Sequence, residues 1–266
     1  MKKSLIFLFL LFVYVFLYSG ILILDFDWSV NVANIMYIFL IALSVLSGCL
    51  LVSRYGLKTF HGKAFLGLTI GILLFLFGEL LWIFYSLKGT DPFPSVADIF
   101  YLLAYPFLFF AFFIEIKLAE ITLGLKKFLW LTFGFLALSA IFFYFAFGSL
   151  AEFTGMADFI SFLYVIGDIV LILCLVLLSL IIIEYKKGRI AEAWLWFLSG
   201  FLFILIADFI FSIFQSGYEE NVYVYAITDS AWLLGYGLIA IGMMRFNTMI
   251  KNEENKIKQK IKNLIK

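Results

Sequence analysis

Apolar residues run along this chain in long blocks, broken at fairly even intervals by short polar or charged clusters. A block of about 20 residues has the length of an α-helix that crosses the hydrocarbon core of a bilayer, because each helical residue rises 1.5 Å. The pattern predicts eight spans, near Ser4–Leu24, Val30–Val52, Ala64–Leu87, Ala97–Ile114, Phe128–Phe147, Met156–Ile183, Trp194–Phe214 and Val222–Met244. Residues 1–244 therefore read as one all-α integral membrane domain. From Arg245 to Lys266 the chain turns basic, with Phe246, Ile250, Ile257, Ile261 and Leu264 on a broken apolar stripe. This tail reads as an amphipathic cytoplasmic helix, either lying along anionic lipid or continuing the eighth span into a short coiled coil.

Composition agrees with the blocks. Hydrophobic residues make up 65% of the 266 positions, against about 45–50% in a soluble domain. Lys2, Lys3 and a small pair at Ser19–Gly20 flank the first span as they would a signal peptide. Its apolar run is near 20 residues, longer than the roughly 7–15 of a signal core, so it reads as a retained anchor.

The net charge of +1 hides a strict segregation. Eighteen of the nineteen Lys and Arg residues fall on alternating connections, and only Lys88 lies on the other side, among acids. The excess of basic residues marks the cytoplasmic loops and places both termini there.

Repetition comes next. When Glu79 is aligned with Asp208, Trp82 falls against Phe211; on the following helices Asp98 falls against Asp229 and Tyr105 against Tyr236. A weaker copy, ADFISFLYVIGD at 157–168, sets Tyr164 in the part of Tyr105. Each unit is a helical hairpin entering and leaving on the same side, so the units predict parallel tandem repeats.

No Lys, Arg or His lies inside a predicted span, yet six acids do: Glu79, Asp98, Asp158, Asp168, Asp208 and Asp229. A charged acid at a helix centre costs about 2.5–3.5 kcal/mol on insertion scales, so such residues avoid lipid. Asp98 and Asp158 sit at helix starts, where a carboxylate caps free N–H groups, and Ser95 with Asp98 has capping-box spacing. Asp229 joins them if its helix begins late. Glu79, Asp168 and Asp208 cap nothing. They can clamp helices together by hydrogen bonds, or they can bind a proton, a cation or a polar molecule. Glu79, Asp168, Asp208 and Asp229, with Trp82, Tyr105, Tyr164 and Tyr236, form the candidate ligand site. Tyr85, Tyr223 and Tyr225 near helix ends suit an interfacial belt. Pro106 removes one backbone donor from the fourth helix.

Several classes are excluded. Cys49 and Cys174 sit in separate apolar runs, and the single histidine, His61, lies in a basic loop, which leaves little for a zinc site. No cofactor is implied. No intramembrane lysine is present to bind retinal. Neither a nucleophile-plus-base pair nor a nucleic-acid-binding pattern is visible, so the chain reads as non-enzymatic.

The series PFPSVADIFYLLAYP, YVIGD, FLSGFLFILIADFIF and TDSAWLLGYGLIAIG resembles the multi-helix membrane region at the N-terminus of many bacterial diguanylate cyclases and cyclic-di-GMP phosphodiesterases. The likeness runs from about Ala64 to Met244. Val165 stands where that family commonly has Pro, Glu79 where Asp is usual, and Phe211 where Tyr is common. The resemblance implies a sensory or anchoring input module, here a stand-alone copy without an output domain. A cytoplasmic signalling partner would then meet the Arg245–Lys266 helix. The expected function is a sensor or scaffold taking a small polar or cationic ligand from outside. The alternative is a proton- or cation-coupled transporter or channel, which would also require acids towards the inside.

Overall fold

The computed structural model describes residues 2–24, 26–119, 121, 124–148, 155–185, 188–215, 218 and 221–264. Asp25, Glu152, Lys186, Lys187, Glu219, Glu220 and Lys266, which enter the loop and tail charge pattern, lie outside the described residues. Eight helices follow one another: α1 (Lys2–Leu24), α2 (Ser29–Tyr55), α3 (Phe60–Leu87), α4 (Val96–Leu118), α5 (Leu125–Gly148), α6 (Met156–Glu184), α7 (Arg189–Phe214) and α8 (Val222–Leu264). All eight are long and apolar enough to cross a membrane.

Helix ends follow local chemistry. Gly56, at φ +73°, ends α2 in a conformation that side chains with a Cβ disfavour. Thr59 caps α3, its hydroxyl accepting the Gly62 N–H at 2.9 Å. Asn221 does the same for α8, accepting from Tyr223 N at 3.1 Å and Val224 N at 3.3 Å. This cap starts α8 a full two turns before Asp229, so Asp229 is an interior residue and not a helix-start acid. Helix α4 runs on through Pro106. Helix α8 continues past Met244 without a break, and its 43 residues make a rod of about 64 Å.

Contacts between helices close a ring in the order α2, α3, α4, α6, α7, α8 and back to α2. Helix α1 lies outside it against α8 and α2, and α5 lies outside against α6 and α7. The ring is tightest where small residues let backbones meet. Cβ atoms added at Gly200 or Gly235 would each lie 2.8 Å from the other residue's carbonyl oxygen, which marks the α7–α8 crossing. Gly71 meets Leu108 and the Ala104 carbonyl in the same way between α3 and α4.

One half of the ring is filled. Phe65, Trp194, Phe197 and Phe246 from α3, α7 and α8 pack ring on ring at 5.1–6.4 Å, and Phe112 of α4 meets Phe201 edge-on at 5.3 Å. All six are almost fully buried. The outer surface is the reverse: Phe16, Ile35, Leu125 and Tyr144 are 70–78% exposed, a face that lipid chains would cover.

Candidate functional site

The other half of the ring is hollow. A cavity of about 120 Å³ lies among the six ring helices, at the end of the bundle that carries the α3–α4 turn and the α7–α8 connection. All eight residues of the candidate site line it: Glu79, Trp82, Tyr105, Tyr164, Asp168, Asp208, Asp229 and Tyr236. Asp98 and Tyr225 line it too. Tyr225 therefore turns inward, where its ring meets Tyr218 at 5.0 Å, and does not belong to an outer belt. Asp158 does not line the cavity; its carboxylate accepts the Gly155 N–H at 2.9 Å and closes the start of α6.

Each of the five carboxyl groups has aromatic donors. Asp98 has two duties. One oxygen accepts the Ser95 N–H at 2.6 Å, completing the capping box of α4, and the other accepts the Tyr164 hydroxyl at 2.7 Å. Tyr105 donates to Asp168 at 2.9 Å, and the Trp232 indole N–H donates to Asp208 at 2.8 Å. Tyr18 of α1 donates to one oxygen of Asp229 at 2.5 Å, and Tyr218 donates to the other. Tyr37 of α2 donates to Glu79 at 3.5 Å. Asp98, Asp168 and Asp229 are buried, whereas Glu79 and Asp208 keep partial exposure because they face the hollow.

One residue, Tyr236, sets this cluster apart from a set of helix clamps. It is 2% exposed and lines the cavity, its ring packed on Tyr37 and Phe75, while its hydroxyl makes no hydrogen bond among the described residues. Close packing fixes the rings: a Cβ on Gly78 would strike Tyr101 at 2.6 Å, and one on Gly167 would strike Tyr105 at 2.5 Å.

Sequence reasoning overlooked Tyr18, Tyr37 and Tyr218. The first two lie on helices without acids, and the third lies in a connection, so nothing nearby marked them. It also overlooked two charged pairs at the filled end. His61 Nδ1 lies 2.9 and 3.1 Å from the two oxygens of Glu115, joining α3 to α4. Arg245 Nη2 lies 2.6 Å from both oxygens of Glu192, joining α8 to α7. His61 read as a loop residue, yet it lies in the first turn of α3, as Glu192 does in α7; Glu115 is 3% exposed.

Among the described residues no group of three or more His, Cys, Asp or Glu side chains is placed to hold a metal ion. Among the described residues the cavity lining contains no Lys, Arg or His. Fold and site thus define a multi-helix membrane bundle with an internal cavity of carboxyl groups and tyrosines. No protein-family model, curated protein or solved structure matches the chain.

Proposed function

We propose that the chain is a non-enzymatic, multi-pass sensory module whose cavity faces outward and takes a small polar or cationic ligand. One observation carries the reading: among the described residues the cavity gathers five carboxyl groups without a cation, and the opposite half of the ring is plugged by buried aromatic rings. A one-ended acidic pocket suits binding and release on the same side. Alternating access needs free polar groups at both ends; at the filled end Glu115 and Glu192 are held in pairs with His61 and Arg245, and the plug of Phe65, Trp194, Phe197 and Phe246 is apolar. A transporter or channel is therefore the weaker alternative.

Orientation rests on the Lys/Arg bias of the connections, which puts both termini and the α8 extension in the cytoplasm. The resemblance to cyclase and phosphodiesterase input regions supports a sensory role, with a signalling partner meeting Arg245–Lys266. In this reading α3–α4 and α7–α8 are copies of one hairpin. The alignment that pairs Glu79 with Asp208 also pairs Gly71 with Gly200, and the one that pairs Asp98 with Asp229 pairs Ala104 with Gly235 and Tyr101 with Trp232. Tyr101 and Trp232, both in the cavity lining, then hold the same place in the two copies.

The test is thermal stability of the purified protein against a panel of organic cations and polyols. A binder present at 100 times its Kd adds about 2.7 kcal/mol of stability. Glu79→Gln and Asp208→Asn should abolish the response. If both variants respond as the parent does, the site assignment fails. Ion flux into liposomes at a rate set by the same acids would favour the transporter.

A further inference from the structure

Helix α8 passes beyond the bundle with an apolar stripe that nothing among the described residues covers. At about 100° per residue, Ile257 and Ile261 stand on the same face as Met243, Phe246 and Ile250 earlier on the rod. Met243 and Phe246 are buried in the core and Ile250 packs against it, whereas Ile257 is 57% exposed and Ile261 51%. We infer that this face of the α8 extension is the docking site of an acidic amphipathic helix carried by a cytoplasmic protein, which packs beneath the bundle. This rests on the signalling partner proposed above and adds that partner's chemistry and its side of approach.

Charge sets the chemistry. Lys258 and Lys260 stand about 60° to either side of the stripe, at the flanking positions of a helix pair. Together with Lys251 and Lys262 they are exposed, and none of these lysines makes a salt bridge among the described residues. The acids of the extension are already engaged: Lys256 Nζ donates to Glu253 at 2.6 Å, and Glu254 meets Arg54 at 3.8 Å. A partner helix with Asp or Glu beside its own apolar stripe matches both the isoleucines and the lysines.

Geometry sets the side. Glu254 lies on the same face as Ile257 and Ile261, and its pairing with Arg54 in the last turn of α2 turns that face towards the inner end of the bundle. Ile257 and Ile261 follow about 4 and 10 Å further along the rod. A second copy of this straight rod cannot pair with the stripe in the same membrane, because its own spanning part would have to stand where α2 and the rest of the ring stand. Lipid is no better placed, since the stripe looks under the bundle and not along its rim. The partner therefore comes from the water beneath.

The probe is a synthetic three-heptad helix with Leu at both apolar positions and Glu at both flanking ones, titrated by fluorescence anisotropy against the full chain in lipid nanodiscs. A twin peptide with Lys in place of Glu is the control. The Glu peptide should bind about tenfold more tightly than its twin, or better. Ile257→Ser with Ile261→Ser should weaken it by about tenfold or more, since two buried isoleucines are lost. Lys258→Glu with Lys260→Glu should reverse the preference between the peptides. Asn252→Ala with Gln259→Ala, on the opposite face, should leave the affinity within about twofold. Lys58→Glu, in the exposed α2–α3 connection just beyond Arg54, should weaken the Glu peptide several-fold because the docked helix lies beneath that connection. The inference is overturned if the Glu peptide does not bind, if the opposite-face variant matters as much as the isoleucine one, or if Lys58→Glu changes nothing. Two rival occupants overturn it as well: a dimer in sedimentation that the isoleucine variant dissolves, or quenching by brominated lipid of a fluorophore on Ile257→Cys in a Cys49→Ser background. Peptide silence alongside a ligand response in the thermal panel sinks this inference alone. A silent panel with peptide binding intact sinks the ligand-binding reading alone.

Discussion

The crossing of α7 and α8 allows a sharp test of how the site is held. A methyl group added at Gly235 would sit 2.8 Å from the Gly200 carbonyl oxygen and 2.6 Å from Ile204 Cγ1. Ordinary carbon contacts begin near 3.4 Å, so Gly235→Ala must push the two backbones apart by several tenths of an ångström. Overpacking of this kind costs about 1–3 kcal/mol. Replacing Gly by Ala in a helix returns up to about 1 kcal/mol. The net loss should be about 1–2 kcal/mol, or roughly 2–8 °C in apparent Tm. Gly134→Ala on α5 meets nothing within 4 Å and should leave Tm unchanged or slightly raised. Gly71→Ala is intermediate, because its close neighbour is the movable end of Leu108 while the Ala104 carbonyl lies at 3.4 Å. Thermal unfolding of the three variants, followed by tryptophan fluorescence in one detergent, gives the ranking. If Gly235→Ala is as stable as Gly134→Ala, the close crossing is wrong, and with it the spacing that brings Trp232 to Asp208.

Three further outcomes follow from the same contacts. Asp98→Asn should cost about 1–3 kcal/mol, because it weakens the capping box and leaves the part-buried Tyr164 hydroxyl with a poorer acceptor; thermal unfolding measures it. Glu115→Leu should be milder than Glu115→Gln in thermal unfolding, since an apolar group of similar bulk leaves no half-satisfied amide in the buried site of a 3% exposed side chain. Truncation after Ile250 should leave the Tm of the bundle within about 1 °C, because residues 251–263 are exposed throughout and touch it chiefly through Arg54–Glu254 at 3.8 Å.

The helices were legible because each needs only an unbroken apolar run of bilayer length, and that is a local property of the chain. The acids were legible for the opposite reason: Glu79, Asp168 and Asp208 each break such a run. Their partners were not. Tyr18 and Tyr37 look like ordinary aromatic residues in apolar helices until the ring of helices turns them towards Asp229 and Glu79. The position of Asp229 follows from Asn221, a good capping residue two turns before it, which agrees with the span expected to begin at Val222. Glu79 and Asp208 looked like the pair to meet across the site. Both line the cavity, Glu79 from α3 and Asp208 from α7, which stand across the ring from one another. The tail allowed two readings, and α8 takes the one that continues the eighth span. Polarity rises sharply after Met244, but no Pro or Gly interrupts 243–264, and polarity alone does not end a helix.

That last point carries a mechanical consequence. Trp232 and Tyr236 at the cavity, Gly235 at the crossing and the lysines of the far end are all mounted on one stiff rod. From Gly235 to Leu264 the rod measures about 44 Å, so a tilt of about 5° at the crossing sweeps its tip through about 4 Å. The pivot is a pair of glycines with no side chains to absorb the change. Movements too small to notice among the tyrosines thus arrive at the tip as displacements the size of a side chain.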